Sequence, residues 1–175
     1  MKPRILSKRL GYKCEWLKVE EAKLKLPNGK ITEWQKLIIP DFVAIVALDK
    51  KTNIYLVEEW RLAFGKKILQ IPAGGCESKN IIKEAKKELM EEIGMNAKKW
   101  QNLITCPLAS RQTTKLHILL ARDLFEAKRE RSDEEIIEVV KLPFKKALKL
   151  FFSEKIPTTS YTILGMLLAK EKLKL

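Results

Sequence analysis

Residues 72–94, PAGGCESKNIIKEAKKELMEEIG, place a glycine-rich turn directly before a stretch with helical periodicity. Pro72 ends the preceding apolar run, and Gly94 suits the end of a helix, where a left-handed residue is often needed. The pattern predicts a helix over residues 80–93. At about 100° per residue, two neighbouring arcs emerge on this helix. One is apolar and predicts contact with a core: Ile82, Ala85, Leu89 and Ile93. The other carries carboxylates: Glu84, Glu88, Glu91 and Glu92.

These glutamates repel one another. Like charges at i,i+4, such as Glu84 and Glu88, destabilise a helix by roughly a few tenths of a kcal/mol per pair. A hard divalent cation would offset the repulsion, because Mg²⁺ binds carboxylate and phosphate oxygens together. The alternative is a solvated helix whose neighbouring lysines, among them Lys87, neutralise the glutamates. The adjacent glycine-rich turn favours the metal, since it can bring backbone groups close to the same ion or to a phosphate.

The composition is that of one globular protein of 175 residues, 46% hydrophobic, with a formal net charge of +13. No apolar run approaches the roughly 20 residues of a membrane span, and no apolar signal core follows the basic N-terminal residues. We therefore expect a cytoplasmic protein without a membrane partner. The cations are spread along the chain instead of clustering with aromatic residues, so nucleic acid is not the expected partner. A basic RNA-associated protein remains an alternative.

Cysteine and histidine offer little chemistry. The three cysteines, Cys14, Cys76 and Cys106, lack the spacing of a zinc site, and the single histidine, His117, lies in a strand-like run. Catalysis therefore has to come from carboxylates, lysines, arginines or a metal that they hold.

Elsewhere the pattern predicts strands and two further helices, which together indicate a mixed sheet in an α/β or α+β fold. Asn28-Gly29 between strand-like segments predicts a hairpin. Pro143 begins a predicted helix to about residue 152, and Thr158–Ser160 can cap another to about residue 172. The predicted strands are residues 14–19, 21–26, 31–39, 42–48, 54–60, 68–71, 100–105, 115–121 and 136–141.

Pro72-Ala73-Gly74 followed by residues 87–95, KELMEEIGM, resembles a Nudix box. The chain is most similar to the ADP-ribose pyrophosphatase branch of that family. The resemblance extends from Pro40 to about Lys170 and includes Glu59-Trp60-Arg61, a strand end whose arginine meets substrate in that branch, and an acidic segment at 132–140. It implies an α/β/α sandwich with a mixed sheet plus a small N-terminal antiparallel sheet. It also implies a division into residues 1–40, used in dimerisation, and a hydrolase domain over 41–175.

The resemblance further implies a divalent-metal-dependent hydrolase of a nucleoside diphosphate linked to another moiety. ADP-ribose or a related nucleotide sugar would give AMP and a phosphorylated product, and the enzyme would be a homodimer. Mg²⁺ (or Mn²⁺) would be held by the Ala73 carbonyl, Glu88, Glu91 and Glu92, and Glu91 and Glu88 would be catalytic. Substrate contacts are expected from Arg61, Trp34 and Arg111. Trp60 is a second candidate for stacking on a base, and a core role is equally open for either tryptophan.

The sequence also departs from the family pattern. The spacing from Gly74 to Glu88 is one residue short, so the first box glutamate has no clear counterpart, and Lys79 or Glu77 stands nearest. Lys87 replaces the box arginine, and the loop 110–115 lacks the acid that ADP-ribose enzymes tend to carry there. If Glu91 is not the general base, Glu134 or Glu135 is the next candidate. These departures leave open a Nudix-fold module that binds a nucleotide without cleaving it.

Overall fold

Two units make up the chain in the computed structural model, which describes residues 1–128, 137–153 and 155–175. The first unit comprises Met1–Asp41 and Cys106–Leu116, and the second comprises Phe42–Thr105 and His117–Leu175. The segment 106–116 was not part of the N-terminal domain expected from the sequence. Its backbone belongs with the first unit because the Leu37 N–H donates to the Arg111 carbonyl at 2.8 Å and the Thr113 N–H donates to the Leu37 carbonyl at 3.0 Å.

The first unit contains an antiparallel sheet of strands β1 (Arg4–Lys13), β2 (Lys18–Lys25) and β3 (Ile31–Ile38), in the order β1-β2-β3. The predicted hairpin is confirmed: Gly29 lies in the turn between β2 and β3 with a φ of +83°. The strand predicted at 14–19 is wrong over residues 14–17, because Cys14 begins a turn in which its N–H donates to the Leu17 carbonyl at 3.0 Å, whereas Lys18 and Val19 belong to β2.

The strand before this turn, β1, was not predicted, and it has exposed side chains along its whole length, so no burial pattern reveals it in the sequence. It is stabilised by cross-strand ion pairs to β2 instead. Lys8 Nζ lies 3.2 Å from Glu20, and Arg9 Nη2 lies 2.6 Å from Glu21. Opposite charges across a strand pair contribute favourably, and hydrophobic periodicity does not report them.

The second unit is built on a sheet of seven described strands, with β5 and β4 in its interior. The strand order is β10-β5-β4-β9-β8, with β6 paired to β5 and β7 paired to β4. The bounds are β4 (Phe42–Leu48), β5 (Asn53–Arg61), β6 (Lys66–Gln70), β7 (Ala73–Gly75), β8 (Met95–Pro107), β9 (Lys115–Glu126) and β10 (Ile137–Pro143). A 3-10 turn, Leu62–Phe64, lies between β5 and β6.

Helices cover both faces of this sheet. Alternate residues of a strand point to opposite faces. Val43, Ile45 and Ala47 of β4 share a buried cluster with Ala85 and Leu89 of helix α1 (Ile81–Ile93). The intervening residue Val46 lies under helix α3 (Ser160–Leu173), 3.0 Å from the position that a Cβ would take on Gly165. Helix α2 (Phe144–Phe152) packs against β10, β5 and α3. These contacts confirm the α/β/α sandwich with a mixed sheet and a small N-terminal antiparallel sheet.

Helix α1 matches the predicted helix within one residue. The Asn80 side chain caps its start by accepting from the Lys83 N–H at 3.1 Å. Gly94 ends it with a φ of +68°, and its N–H bonds to the Leu89 and Met90 carbonyls. The predicted apolar stripe is buried at residues 85, 89 and 93, whereas Ile82 is exposed at the edge of the contact. In the described part of the chain, no helix is long and apolar enough to cross a membrane.

The left-handed conformation at the end of α1 gives a first prediction. Gly94→Ala should lower the free energy of unfolding by about 1 kcal/mol, because a Cβ disfavours positive φ. For a chain of this size, the melting temperature should fall by roughly 2–4 °C in a thermal unfolding scan. Gly75→Ala is the matched control: Gly75 has no positive φ, and no atom of the described residues lies within 4 Å of its added Cβ. Equal melting temperatures for the two variants would contradict the role of Gly94.

Candidate active site

The carboxylates of α1 meet the backbone of β7. The Glu88 carboxylate occupies the space that a Cβ on residue 74 would take, so only glycine at 74 admits Glu88 in this position. One turn further along, Glu92 is 5% exposed and accepts a hydrogen bond from the Ala73 N–H at 3.0 Å. Two of the predicted ligands therefore lie against the Ala73–Gly74 backbone, as the glycine-rich turn suggested.

Hydrogen-bond donors of the protein itself stabilise part of the negative charge on α1, for which the sequence analysis had predicted a cation. Glu84 is buried, and it accepts from Ser78 Oγ at 2.5 Å and from the Glu77 N–H at 3.2 Å. The hydrogen bond from Ser78 holds the pKa of Glu84 below its usual value. Glu84 lies near the start of α1 and Glu92 near its end, and the hydrogen bonds to these two carboxylates offset the repulsion between the glutamates.

Lys87, in the place of the box arginine, pairs with Glu77 at 3.1 Å. This hydrogen bond raises the pKa of Lys87, and the charges of Glu91 and Glu88 add to the effect. Glu77 was one of the two residues nearest to the missing first glutamate of the box. It is the one that contacts Lys87, through a single ammonium instead of a planar fork.

Arg61 ends β5, where its Nη2 lies 3.0 Å from Glu59. Sequence reasoning missed two further polar residues of the same unit, Gln70 and Tyr161. The Tyr161 hydroxyl donates to Gln70 Oε1 at 2.8 Å, and burial raises the pKa of the Tyr161 phenol. A signal for Gln70 was present in the sequence, because it is the polar residue in the apolar run 68–71.

Trp34 and Arg111 belong to the first unit, where they contact each other. The Arg111 guanidinium lies over the Trp34 ring, 4.4 Å from its centroid, in a cation–π arrangement. Trp34 is 37% exposed, so the core role considered for it does not hold. Trp60, the other stacking candidate, is also exposed, at the end of β5.

Loop 110–115, where related enzymes carry an acidic residue, cannot accommodate an exposed carboxylate at Thr114. This residue is 2% exposed, and its hydroxyl donates to the Ile39 carbonyl at 3.4 Å. A glutamate there would be a buried carboxylate, which costs free energy unless it is paired. The other candidate bases, Glu134 and Glu135, and the part of the acidic segment before residue 137 lie outside the described residues.

Comparisons with known proteins agree with this geometry. The chain is 32% identical over 148 residues to an ADP-ribose pyrophosphatase of Bacillus subtilis, covering 80% of this chain and 79% of that protein. It belongs to the Nudix hydrolase family, in the ADP-ribose pyrophosphatase branch.

Two further relatives and a solved structure widen the comparison. An ADP-ribose pyrophosphatase of Mycobacterium tuberculosis is 31% identical over 65% of this chain and 56% of its own length. A methanol dehydrogenase activator of Bacillus methanolicus is 27% identical over 86% of this chain and 83% of its own length. A crystal structure of an ADP compounds hydrolase superposes with a TM-score of 0.89 at 22% identity, over 99% of this chain and 95% of that one, and so shares the fold. No protein-family model matches the chain.

The donor chemistry of this Nudix hydrolase fits a hard cation shared with substrate. Within residues 1–128, 137–153 and 155–175, no three acidic, histidine or cysteine side chains group into a protein-only metal cage. Mg²⁺ rarely uses such cages, because it keeps several waters and binds through one or two carboxylates plus substrate phosphates. Glu88 and Glu92, beside the Ala73–Gly74 backbone, could hold it in that manner.

The Gly74–Glu88 contact gives a second prediction. Gly74→Ala should reduce hydrolase activity by more than about tenfold, because a displacement of about 1 Å at a reacting centre can cost about 10²-fold. The melting temperature should change little, since the atoms displaced are the flexible end of a glutamate. Gly75→Ala, the adjacent change in open space, should retain activity. Full activity of Gly74→Ala would mean that the position of Glu88 is irrelevant to the site.

Proposed function

We propose that the protein hydrolyses the pyrophosphate of ADP-ribose, or of a related nucleotide sugar, to AMP and a phosphorylated product, with Mg²⁺ or Mn²⁺. The observation that carries this proposal is the approach of Glu88 and Glu92 to the Ala73–Gly74 backbone within the Nudix box. The two relatives named ADP-ribose pyrophosphatase support the substrate class.

The energetic problem is attack by water on a pyrophosphate that is already negatively charged. A divalent cation, when bound, neutralises this charge and lowers the pKa of a coordinated water. Glu88 and Glu92 would supply the carboxylates for it, with the Ala73 carbonyl as a backbone ligand, and Glu91 would either ligate a second ion or accept the proton of the attacking water. Arg61 is assigned to a substrate phosphate, which a guanidinium can bind through two parallel hydrogen bonds.

Glu91 is our candidate for the general base. It lies on the same helix, one residue before Glu92, and it is half-buried. Thr114 offers no acid in the loop, so a box carboxylate is the simplest proton acceptor. General base catalysis contributes about 10² to 10⁴ in rate.

Trp34 and Arg111 remain proposed substrate contacts. An exposed indole offers a face for a nucleobase, and a guanidinium beside it suits a phosphate. The net charge of +13 favours encounter with any phosphorylated substrate.

Removal of the Glu88 charge tests the function. Glu88→Gln should lower divalent-dependent hydrolysis of ADP-ribose by at least about 10²-fold while the protein remains folded, because the neutral amide cannot ligate the cation equivalently. Glu171→Gln, an exposed glutamate of α3, is the control and should be indistinguishable from wild type. Activity should be measured on a panel of nucleotide sugars, dinucleotides and triphosphates with Mg²⁺ and Mn²⁺.

The outcomes are distinct. Full activity of Glu88→Gln would show that the metal is held elsewhere. Wild-type protein that binds ADP-ribose without cleaving it would favour the non-catalytic module. Glu92→Gln is a less clean test, because Glu92 is buried and bonded to Ala73, and an amide there would bury an NH₂ group in need of an acceptor.

We also propose that the first unit forms a two-fold dimer. Its small sheet carries many exposed apolar side chains, and a sheet of this size is marginal on its own. These side chains are Ile5, Leu6, Leu10, Tyr12, Ile31 and Leu37, and Trp16 is exposed in the turn between β1 and β2. A second copy of the chain would cover them symmetrically.

Sedimentation velocity at micromolar concentration should therefore show a dimer. Leu10→Glu should shift it to monomer, because a charge would be buried in the self-complementary contact. Leu167→Glu, an exposed leucine of α3, is the matched control and should remain dimeric. A monomeric wild type would refute the proposed assembly.

A further inference from the structure

A cleft of about 290 Å³ lies in the second unit, lined by residues of the β4–β5 turn, of β9 and of the end of α3. Its described lining residues include none of those assigned to the active site. The volume is close to the lower end of the range for small-molecule sites, about 300 Å³. The cleft therefore has room for a ligand smaller than a dinucleotide.

The backbone beside this cleft adopts unusual conformations. Thr52, in the β4–β5 turn, has a φ of +60°, and Asp123, in β9, has a φ of +56°; both residues line the cleft. Positive φ is a genuine outlier for a β-branched residue, and glycine would adopt it without strain. Threonine at this position therefore indicates a use for its side chain. The Thr52 hydroxyl has no hydrogen-bond partner among the described residues, so it is available to a ligand.

The two carboxylates of the cleft are compensated by lysines that do not line it. Asp49 accepts from two backbone N–H groups of its own turn and pairs with Lys141 at 2.8 Å, so its oxygens are occupied. Asp123 pairs with Lys99 at 2.8 Å through Oδ2. This pairing leaves Oδ1 of Asp123 as an acceptor for a ligand hydroxyl.

Two cations of the cleft are not compensated in this way. Lys50 and Arg122 line it, and neither side chain has an ion pair or hydrogen bond among the described residues. The hydrogen bond from Lys99 lowers the pKa of Asp123, and the charges of Lys50 and Arg122 act in the same direction, which agrees with their place on the cleft. Two positive charges at one small cleft suit a phosphate dianion, which a guanidinium can bind through two parallel hydrogen bonds.

The remaining wall of the cleft is apolar. Leu48 ends β4, and Leu173 and Leu175 flank the end of α3. Lys174, between these two leucines, has a φ of +55°, and the Leu175 N–H donates to the Lys170 carbonyl at 3.1 Å. This left-handed cap turns the chain at the helix end and pairs carbonyls that would otherwise disfavour an anion.

We propose that this cleft is a second binding site of the protein and takes a small sugar phosphate. The phosphate dianion binds between Lys50 and Arg122. The sugar hydroxyls bond to the Asp123 carboxylate and to the Thr52 hydroxyl, and the carbon skeleton lies against the leucines. The inference goes beyond the proposed hydrolysis and does not depend on it.

Calorimetric titration with ribose 5-phosphate in EDTA tests the site. This probe is also the phosphorylated product that hydrolysis of ADP-ribose would release. Wild type should bind it, and Arg122→Ala should raise the Kd at least about tenfold, the scale of one hydrogen bond to a charged group. Lys146→Ala removes the same charge from an exposed lysine of α2 and should leave the Kd unchanged. Arg61→Ala should also leave it unchanged, because Arg61 belongs to the active site.

Thr52→Gly separates a ligand contact from a merely structural role. It should raise the Kd by about two- to tenfold, the range of a neutral hydrogen bond. It should not lower the melting temperature, because glycine adopts positive φ without strain. An unchanged Kd would overturn the contact at Thr52.

The other outcomes are equally distinct. Absence of binding by wild type, or equal Kd values for Arg122→Ala and Lys146→Ala, would overturn the proposed site. Loss of binding in Arg61→Ala would place the ligand in the active site instead. Inorganic phosphate that binds as tightly as ribose 5-phosphate would overturn the assignment to a sugar phosphate. Hydrolysis of ADP-ribose is measured separately, so an inactive protein would refute the proposed function and leave this result standing.

Discussion

The approach of the Glu88 and Glu92 carboxylates to the Ala73–Gly74 backbone is the contact on which the site depends. It requires the turn and the helix to be placed independently. Ala73 is in register with Ala44 of the central strand β4, and the Pro72 carbonyl accepts from the Ile45 N–H at 2.8 Å. The turn is therefore part of the sheet, while α1 is fixed by its own buried stripe.

A row of carboxylates on one helix is unfavourable, and the protein limits this cost with its own donors. Ser78 and the Glu77 N–H serve Glu84, and the Ala73 N–H serves Glu92. These donors are local to the turn and the helix start, so they are in place before any ligand binds. Preorganised donors of this kind need no rearrangement at the moment of reaction. A cation would then complete a charge arrangement that the fold already tolerates.

The relatives of this chain carry different functional names, so a shared fold does not by itself fix the chemistry. Proteins named ADP-ribose pyrophosphatase and a methanol dehydrogenase activator are all similar to this chain over most of its length. A shared fold hosts different functions through differences at particular residues. In this chain the departures from the expected family pattern include Lys87, which pairs with Glu77, and the buried Thr114. Both alter how a carboxylate is presented, and neither removes Glu88, Glu91 or Glu92.

The sequence by itself determined the helix that carries the glutamates, the hairpin at Gly29, the buried strand β4 and a mixed sheet with helices. These features depend on local periodicity and on glycine in the left-handed region, which a single segment encodes. Tertiary structure alone decided the hydrogen bond between Tyr161 and Gln70. It also decided the hydrogen bond from Ala73 to Glu92 and the ion pair between Lys87 and Glu77. It also decided that β1 is a strand, because cross-strand ion pairs replace a burial pattern there. Each of these contacts joins segments whose spacing along the chain carries no periodic signal, so only the packing of the sheet and helices brings them together.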